Sequence, residues 1–262
     1  MLYYNQYVRA ESLEEAYDLY QKKNNFILAG MLWQKMRNKT MGTAIDLCGL
    51  GLDKIEETEE AFRIGAYVSL RDLETDEALN TYTGGAFRES VRHIVGVQFR
   101  NVATVGGSIW GRFGFSDVMT IFRALGAKVE LHHAGMMDLN DFVKLPRKTR
   151  DILVAVIVPK NVKGVVYVSQ RNQSTDFPVL TCAAAKTAGG FRVAIGARPG
   201  KAVLYTLQPN AAETPELTAA RFAAEVRANI RTESNMRGSA EYRNHLAGVL
   251  VKRAVLKLEG NR

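Results

Sequence analysis

The chain has 262 residues, 47% hydrophobic and 24% charged, which excludes a disordered tail or a disulfide-stapled mini-protein and leaves room for two or three packed layers. Basic residues outnumber acidic ones 35 to 27, for a net charge of +8, a surplus that bears on association and not on fold. Cys48 and Cys182 are too few for an iron–sulfur cluster or a zinc site, and neither a signal peptide nor an apolar run of about 18 residues occurs, so the chain reads as cytoplasmic and non-membrane.

Ser12-Leu13-Glu14-Glu15 has the S-x-x-E form of a capping box, and Leu13, Ala16, Tyr17 and Tyr20 follow at helical spacing, which predicts a helix over about 12–22. Phe26-Ile27-Leu28-Ala29 is too short for a buried helix and stops at Gly30, as a buried strand ending in a turn would. A short helix over 31–36 and a strand near 44–47 complete a first subdomain, to about residue 55. A second subdomain opens after the acidic turn 56–60, with a strand at 61–66 and a helix over 70–77. It continues with a helical pattern at 87–96, a Gly-rich stretch at 104–114, a helix over 117–125 and a strand at 127–132. The almost unbroken apolar run of residues 151–159, DILVAVIVP, predicts a buried strand closed by a proline. A boundary at 158–164 then divides the chain into domains of residues 1–160 and 161–262. The second has strands at 165–169, 180–188 and 191–197, the last two joined at Gly189-Gly190, which implies an antiparallel sheet. Ser239 is placed to cap a terminal helix whose stripe Tyr242, Leu246, Leu250, Ala254 and Leu258 covers that sheet. No internal repeat is present.

The residues that could carry chemistry lie in loops. In Arg100-Asn101-Val102-Ala103-Thr104-Val105-Gly106-Gly107-Ser108-Ile109 the paired glycines allow backbone N–H groups to converge, and Thr104 and Ser108 add hydroxyls, an arrangement suited to a diphosphate. The same glycines also fit a plain tight turn between strands. Asp117, at the start of a helix, is either an N-terminal charge or an acceptor for ribityl or ribose hydroxyls. Ala29-Gly30-Met31 would place further backbone donors at the end of a strand. His132 and His133, adjacent on a strand, would face opposite ways, and with His93 and His245 they read as surface or packing residues. No metal site is expected. Trp33 and Trp110 flank the two loops without an assigned role.

Residues 100–131, RNVATVGGSIWGRFGFSDVMTIFRALGAKVEL, resemble the signature of the FAD-binding subunit of the molybdenum hydroxylases, as in xanthine dehydrogenase and carbon monoxide dehydrogenase. Ile27-Leu28-Ala29-Gly30, Ile45-Asp46-Leu47, Phe62-Arg63-Ile64-Gly65-Ala66, residues 152–159 and Gly238-Ser239-Ala240-Glu241-Tyr242-Arg243 are similar to further blocks of that family, in the same order. The resemblance covers essentially the whole chain. It implies an α+β protein: a two-lobed FAD-binding domain of the PCMH type, made of two small α/β subdomains, followed by a three-stranded antiparallel sheet with helices.

The resemblance also implies a cofactor site. Ile27, Leu28, Ala29, Gly30, Met31, Leu32, Trp33 and Gln34 would form the first FAD loop, and Thr104, Val105, Gly106, Gly107 and Ser108 the second. Asp117 would hold the cofactor's hydroxyls, Leu153 would lie against the flavin ring, and Ile94 would make a further apolar contact. No catalytic acid or base is implied. Met31, Leu32 and Trp33 depart from the family's usual A-G-G-T-D, losing a glycine, a hydroxyl and a carboxylate. A lysine that some members carry near residues 167–170 is absent, and Arg171 is the nearest base.

The implied partners are an iron–sulfur small subunit with [2Fe-2S] clusters and a molybdopterin-binding large subunit, with NAD+ as acceptor. The implied activity is xanthine dehydrogenase-like, although relatives also process nicotinate, aldehydes and carbon monoxide. Two other readings follow from the residues. Met31-Leu32-Trp33 would suit a structural subunit that has lost FAD, and the positive surplus would suit a nucleic-acid-binding module. Against the second, residues 147–150, RKTR, are the one tight basic cluster, and no nucleic-acid motif accompanies them.

Overall fold

The computed structural model describes residues 1–260. Its first strand, β1 (Leu2–Arg9), is mostly exposed and has no apolar alternation to announce it. It exists because its backbone pairs in parallel with β3. Between them come α1 (Leu13–Gln21), β2 (Phe26–Ile27) and a 3₁₀ turn (Gln34–Met36) that occupies only the end of the helix expected over 31–36; β3 (Lys39–Asp46) follows. The sheet order is β1-β3-β2. Ser12 Oγ caps α1 by accepting from Glu15 N (3.1 Å), while the Glu15 carboxylate accepts from Glu11 N (2.7 Å), one residue before the cap.

The second unit contains β4 (Ile55–Glu57), β5 (Ala61–Gly65), α2 (Leu70–Thr75), α3 (Glu77–Tyr82), α4 (Ala86–Val91), α5 (Val97–Arg100), α6 (Val105–Gly111) and α7 (Asp117–Leu125). It closes with β6 (Lys128–Leu131), β7 (Gly135–Asp138), α8 (Leu139–Phe142) and β8 (Leu153–Pro159). These strands form an antiparallel sheet in the order β4-β5-β8-β6-β7. The central position of β8 explains its unbroken apolar run. The helix expected over 70–77 ends at Thr75, because Asp76 caps the next one through Leu79 N (2.7 Å). The pattern over 87–96 stops at Val91, and Val95 turns the chain at φ +52°.

The chain changes sheets between Pro159 and β9 (Val162–Arg171), then forms β10 (Pro178–Thr187), β11 (Gly190–Gly196) and β12 (Val203–Leu207). This antiparallel sheet therefore has four strands, ordered β12-β11-β10-β9, and not three. The additional strand lies at an edge with Leu207 its sole buried residue, so its sequence carries little apolar signal. Next come α9 (Pro215–Asn229), with Pro215 at its first position behind the Thr214 cap, and α10 (Ala240–Leu258), capped by Ser239.

The four-stranded sheet is covered on both faces. Val166, Cys182, Ala184, Val193 and Ile195 pack with Phe222 and Val226 of α9 and with Leu246, Leu250 and Ala254 of α10. The alternate residues Val165, Tyr167, Ala183, Ala185 and Ala194 join the core of the second unit with Phe87 of α4 and Phe122 of α7. The two-residue period of a strand divides its side chains between these cores. The fully buried Arg243 ties the start of α10 to the sheet by donating to Val179 O (2.9 Å), Glu233 O (2.7 Å) and Asn235 Oδ1 (2.6 Å). No helix among the described residues is long and apolar enough to cross a membrane.

Candidate cofactor cleft

The first loop leaves the sheet at the end of β2, where Leu28 N donates to Ile45 O (2.7 Å) and the Tyr67 hydroxyl donates to Leu28 O. From there to the 3₁₀ turn, the backbone N–H groups of Ala29, Gly30, Met31, Leu32 and Trp33 find no hydrogen-bond acceptor among the described residues. These residues are half-buried to exposed, so the donors are open to a ligand or to water. Gly30 lies against the other loop: a Cβ there would stand 2.0 Å from Val102 O. Met31 takes φ +58°, the left-handed region that the family's glycine adopts freely and that costs another residue about 1 kcal/mol.

The Gly106-Gly107 stretch is neither a hairpin turn nor a freely converging set of amides. It forms the first turn of α6, with Thr104 as its cap. Val105 N donates to Val68 O (2.9 Å), Gly106 N to Ala66 O (2.8 Å) and Gly107 N to Thr104 Oγ1 (3.0 Å). The Ser108 hydroxyl, expected to face a ligand, donates to Thr104 O (2.9 Å). Gly106 must lack a side chain because a Cβ would stand 2.6 Å from Ala66 O, whereas a Cβ on Gly107 would meet only Thr104 Oγ1. The second loop thus supplies a bare surface beside a helix start, and the first supplies the donors.

The remaining candidates lie further in. Asp117 is 5% exposed, and its Oδ1 accepts from both the Tyr167 hydroxyl and Arg171 Nη2. Burial pushes its carboxyl up to about 6 against the opposing pull of Arg171 and Tyr167. Its role in the fold is therefore to join α7 to β9, a use the sequence did not suggest. Leu153 is buried at the start of β8. The neighbouring Val154 O accepts from Ala66 N (2.9 Å), whose own carbonyl holds Gly106. Ile94 is half-buried in the turn after α4, and its carbonyl accepts from Arg100 Nη1 (3.2 Å). Leu32 packs on the main core, and Gln34 opens the 3₁₀ turn.

The fold also assembles an aromatic wall that sequence reasoning did not find. Trp33 lies 5.5 Å from Phe113, 5.6 Å from Phe115 and 6.0 Å from Phe177 between ring centres. Trp33, Phe115 and Phe177, with Gly114, Pro199 and Arg237, bound a cavity of about 210 Å³. Phe113-Gly114-Phe115 was visible as a pair, but Phe177 arrives from the β9–β10 connection, which no local pattern links to the loops. Trp110 instead packs on Phe142. The expectation that His132 and His133 face opposite ways fails because β6 ends at Leu131; both rings lie against Tyr17, at 5.6 and 4.9 Å.

A dinucleotide diphosphate only accepts hydrogen bonds, so it needs donors and close backbone approach more than particular side chains. The free amides of residues 29–33, in a loop whose Gly30 lies against Val102, meet that need despite the missing hydroxyl and carboxylate. The residues present fit FAD.

Comparisons with known proteins agree. The family model described as "FAD binding domain in molybdopterin dehydrogenase" matches residues 3–161, and "CO dehydrogenase flavoprotein C-terminal domain" matches residues 166–258. The chain is 26% identical over 251 residues to the uncharacterized protein YgfM of Escherichia coli K12, covering 94% of this chain and 93% of that one. It is 25% identical over 272 residues to the nicotine 6-hydroxylase medium subunit of Paenarthrobacter nicotinovorans, covering 96% of each. Among solved structures, a chain of reconstituted CO dehydrogenase from Oligotropha carboxidovorans superposes with a TM-score of 0.85 at 23% identity, covering 99% of this chain and 98% of that one. A chain of quinoline 2-oxidoreductase from Pseudomonas putida 86 gives 0.82 at 21%, covering 98% and 96%. With family models matched from residue 3 to residue 258 and free donors in its first loop, the chain belongs to the FAD-binding medium subunits of the molybdenum hydroxylases.

Proposed function

We propose that this medium subunit works in electron transfer, receiving electrons from [2Fe-2S] clusters on a small subunit and passing them to NAD+, while a large subunit with molybdopterin hydroxylates the substrate. The observation that carries this reading is the unpaired run of backbone donors at residues 29–33, in a loop closed by Gly30 onto Val102. When bound, FAD supplies the ability to take electrons singly and give them up as a pair. The chain's own part is to bind and orient. Amides of residues 29–33 hold the phosphates, Thr104 and Gly107 border them, and the Trp33–Phe115–Phe177 wall limits water on one side. No proton needs to be moved by a side chain of this subunit, and none is assigned to do so.

The relatives named for nicotine and quinoline chemistry support an N-heteroaromatic substrate for the complex, purines such as xanthine included. The test is the absorbance of the purified chain. Bands near roughly 375 and 450 nm, those of a bound oxidised flavin, are expected, and a folded chain that stays colourless in excess FAD overturns the reading. Reduction of NAD+ by the substrate-fed complex checks the acceptor; turnover with a dye but not with NAD+ would replace it.

A further inference from the structure

Where the end of α6 meets residues 142–147 and the turn at 197–202, cationic side chains outnumber the carboxylates beside them. Arg112, Arg123, Arg147, Arg198 and Lys201 form no salt bridge among the described residues. They donate instead to neutral groups. Arg112 Nη1 binds Leu145 O (2.7 Å), Lys201 Nζ binds Val143 O (2.7 Å) and Arg147 Nη1 reaches Gly111 O (3.5 Å). Arg198 spans Lys201 O and Arg231 O (both 2.7 Å), and Arg123 holds Asn140 Oδ1 (2.8 Å) and Ala202 O. Two carboxylates lie nearby: Asp138, whose charge acts on Arg123 and whose Oδ1 accepts from Asn140 N (2.7 Å), and Asp141, which pairs with Lys144 (2.8 Å). Burial and the fields of Arg112, Arg147 and Arg123 hold Lys201 below its ordinary value, the direction expected of a cation among cations.

We propose that this knot is the docking surface for an acidic face of a partner chain in the hydroxylase complex, an inference that rests on the subunit reading above. The donor geometry selects this partner over the other polyanions. A small phosphate is held by convergent free N–H groups, and a nucleic-acid backbone by direct Arg and Lys contacts to successive phosphates. Here many of the donors are already bound to carbonyls, while the charge remains. A net positive field with many of its hydrogen bonds occupied acts over about a Debye length, roughly 8 Å, and steers an extended acidic surface without having to chelate it. Arg147 and Lys201 are exposed, and neither is among the residues assigned to hold the cofactor.

The experiment uses the whole complex, purified through a tag on this chain and challenged with rising NaCl. Arg147→Glu combined with Lys201→Glu is expected to release the partner chains at lower salt and to weaken reassembly about ten-fold or more, with flavin absorbance unchanged. Arg147→Gln with Lys201→Gln should fall between, and that pair decides the matter if the Glu variant does not fold. Partner retention identical to the parent's across the salt series overturns the proposal. So does salt-sensitive binding of a DNA duplex by the parent that the double Glu variant loses while its complex stays intact. A colourless chain whose partners still depend on these two charges would instead remove the FAD reading and leave the docking surface standing.

Discussion

Gly30 and Met31 are neighbours with opposite constraints. Gly30 has no room for a side chain, since a Cβ would sit 2.0 Å from Val102 O, backbone that cannot move without parting the loops. Gly30→Ala is therefore expected to reduce FAD retention at least ten-fold, measured by flavin dissociation from the purified chain. Met31 has the space but the wrong φ, +58°. For Met31→Gly, relief of about 1 kcal/mol is offset by a comparable gain in unfolded-chain entropy. Its melting temperature should barely change, and its flavin affinity should hold or rise, because the donors are main-chain. A marked loss of flavin in that variant would show that the methionine side chain itself grips the cofactor.

At the scale of elements, the short helices leading to the second loop are held by a buried charge pair. Arg100 of α5 is 5% exposed and meets Glu74 of α2 through two bonds, at 2.8 and 3.3 Å, while Arg71 adds a third at 2.8 Å. Burial works to raise the Glu74 carboxyl, and the hydrogen bonds from Arg71 and Arg100 more than reverse it, so it titrates below its ordinary 4.5. A depressed folded value means this stabilisation is present above 4.5 and lost as pH falls through the lower folded value. Glu74→Gln should cost about 3 kcal/mol at neutral pH by leaving Arg100 buried and unpaired. The difference between the two proteins in denaturant melts should shrink as the pH is lowered from neutral into the acid range; a difference that stays constant would deny the pair its role.

For the molecule as a whole, the decisive joint is between the core of the second unit and the four-stranded sheet that shares it. Asp117 of α7 accepts from Tyr167 and Arg171 of β9, and Arg171 Nη1 holds Asp176 O (2.6 Å) beside the aromatic wall. Removing that carboxylate strands a guanidinium that is 7% exposed. Asp117→Ala should therefore lower stability by about 3 kcal/mol, with flavin lost only in step with unfolding, as followed by parallel fluorescence and absorbance melts. Flavin release from a variant of unchanged stability would return Asp117 to the hydroxyl-binding role that the family resemblance implies.

Local signals were enough for much of this fold. Ser12 and Ser239 mark the starts of α1 and α10, the run at 151–159 marks β8, and the alternation at 61–65 marks β5. Caps and periodicity act within a few residues, so the sequence states them directly. It is silent where burial is thin, as in β1 and β12, and in α9, whose buried face is Thr218, Ala219, Phe222 and Val226. The sequence by itself determined the family motif, the order of the strands and helices it names, and which loops are candidates to hold the cofactor. Only the tertiary structure decided what each loop contributes, because a backbone N–H is free or engaged according to partners distant in the chain. Ala66 and Val68 take the first amides of the glycine loop, and no acceptor among the described residues takes those of residues 29–33.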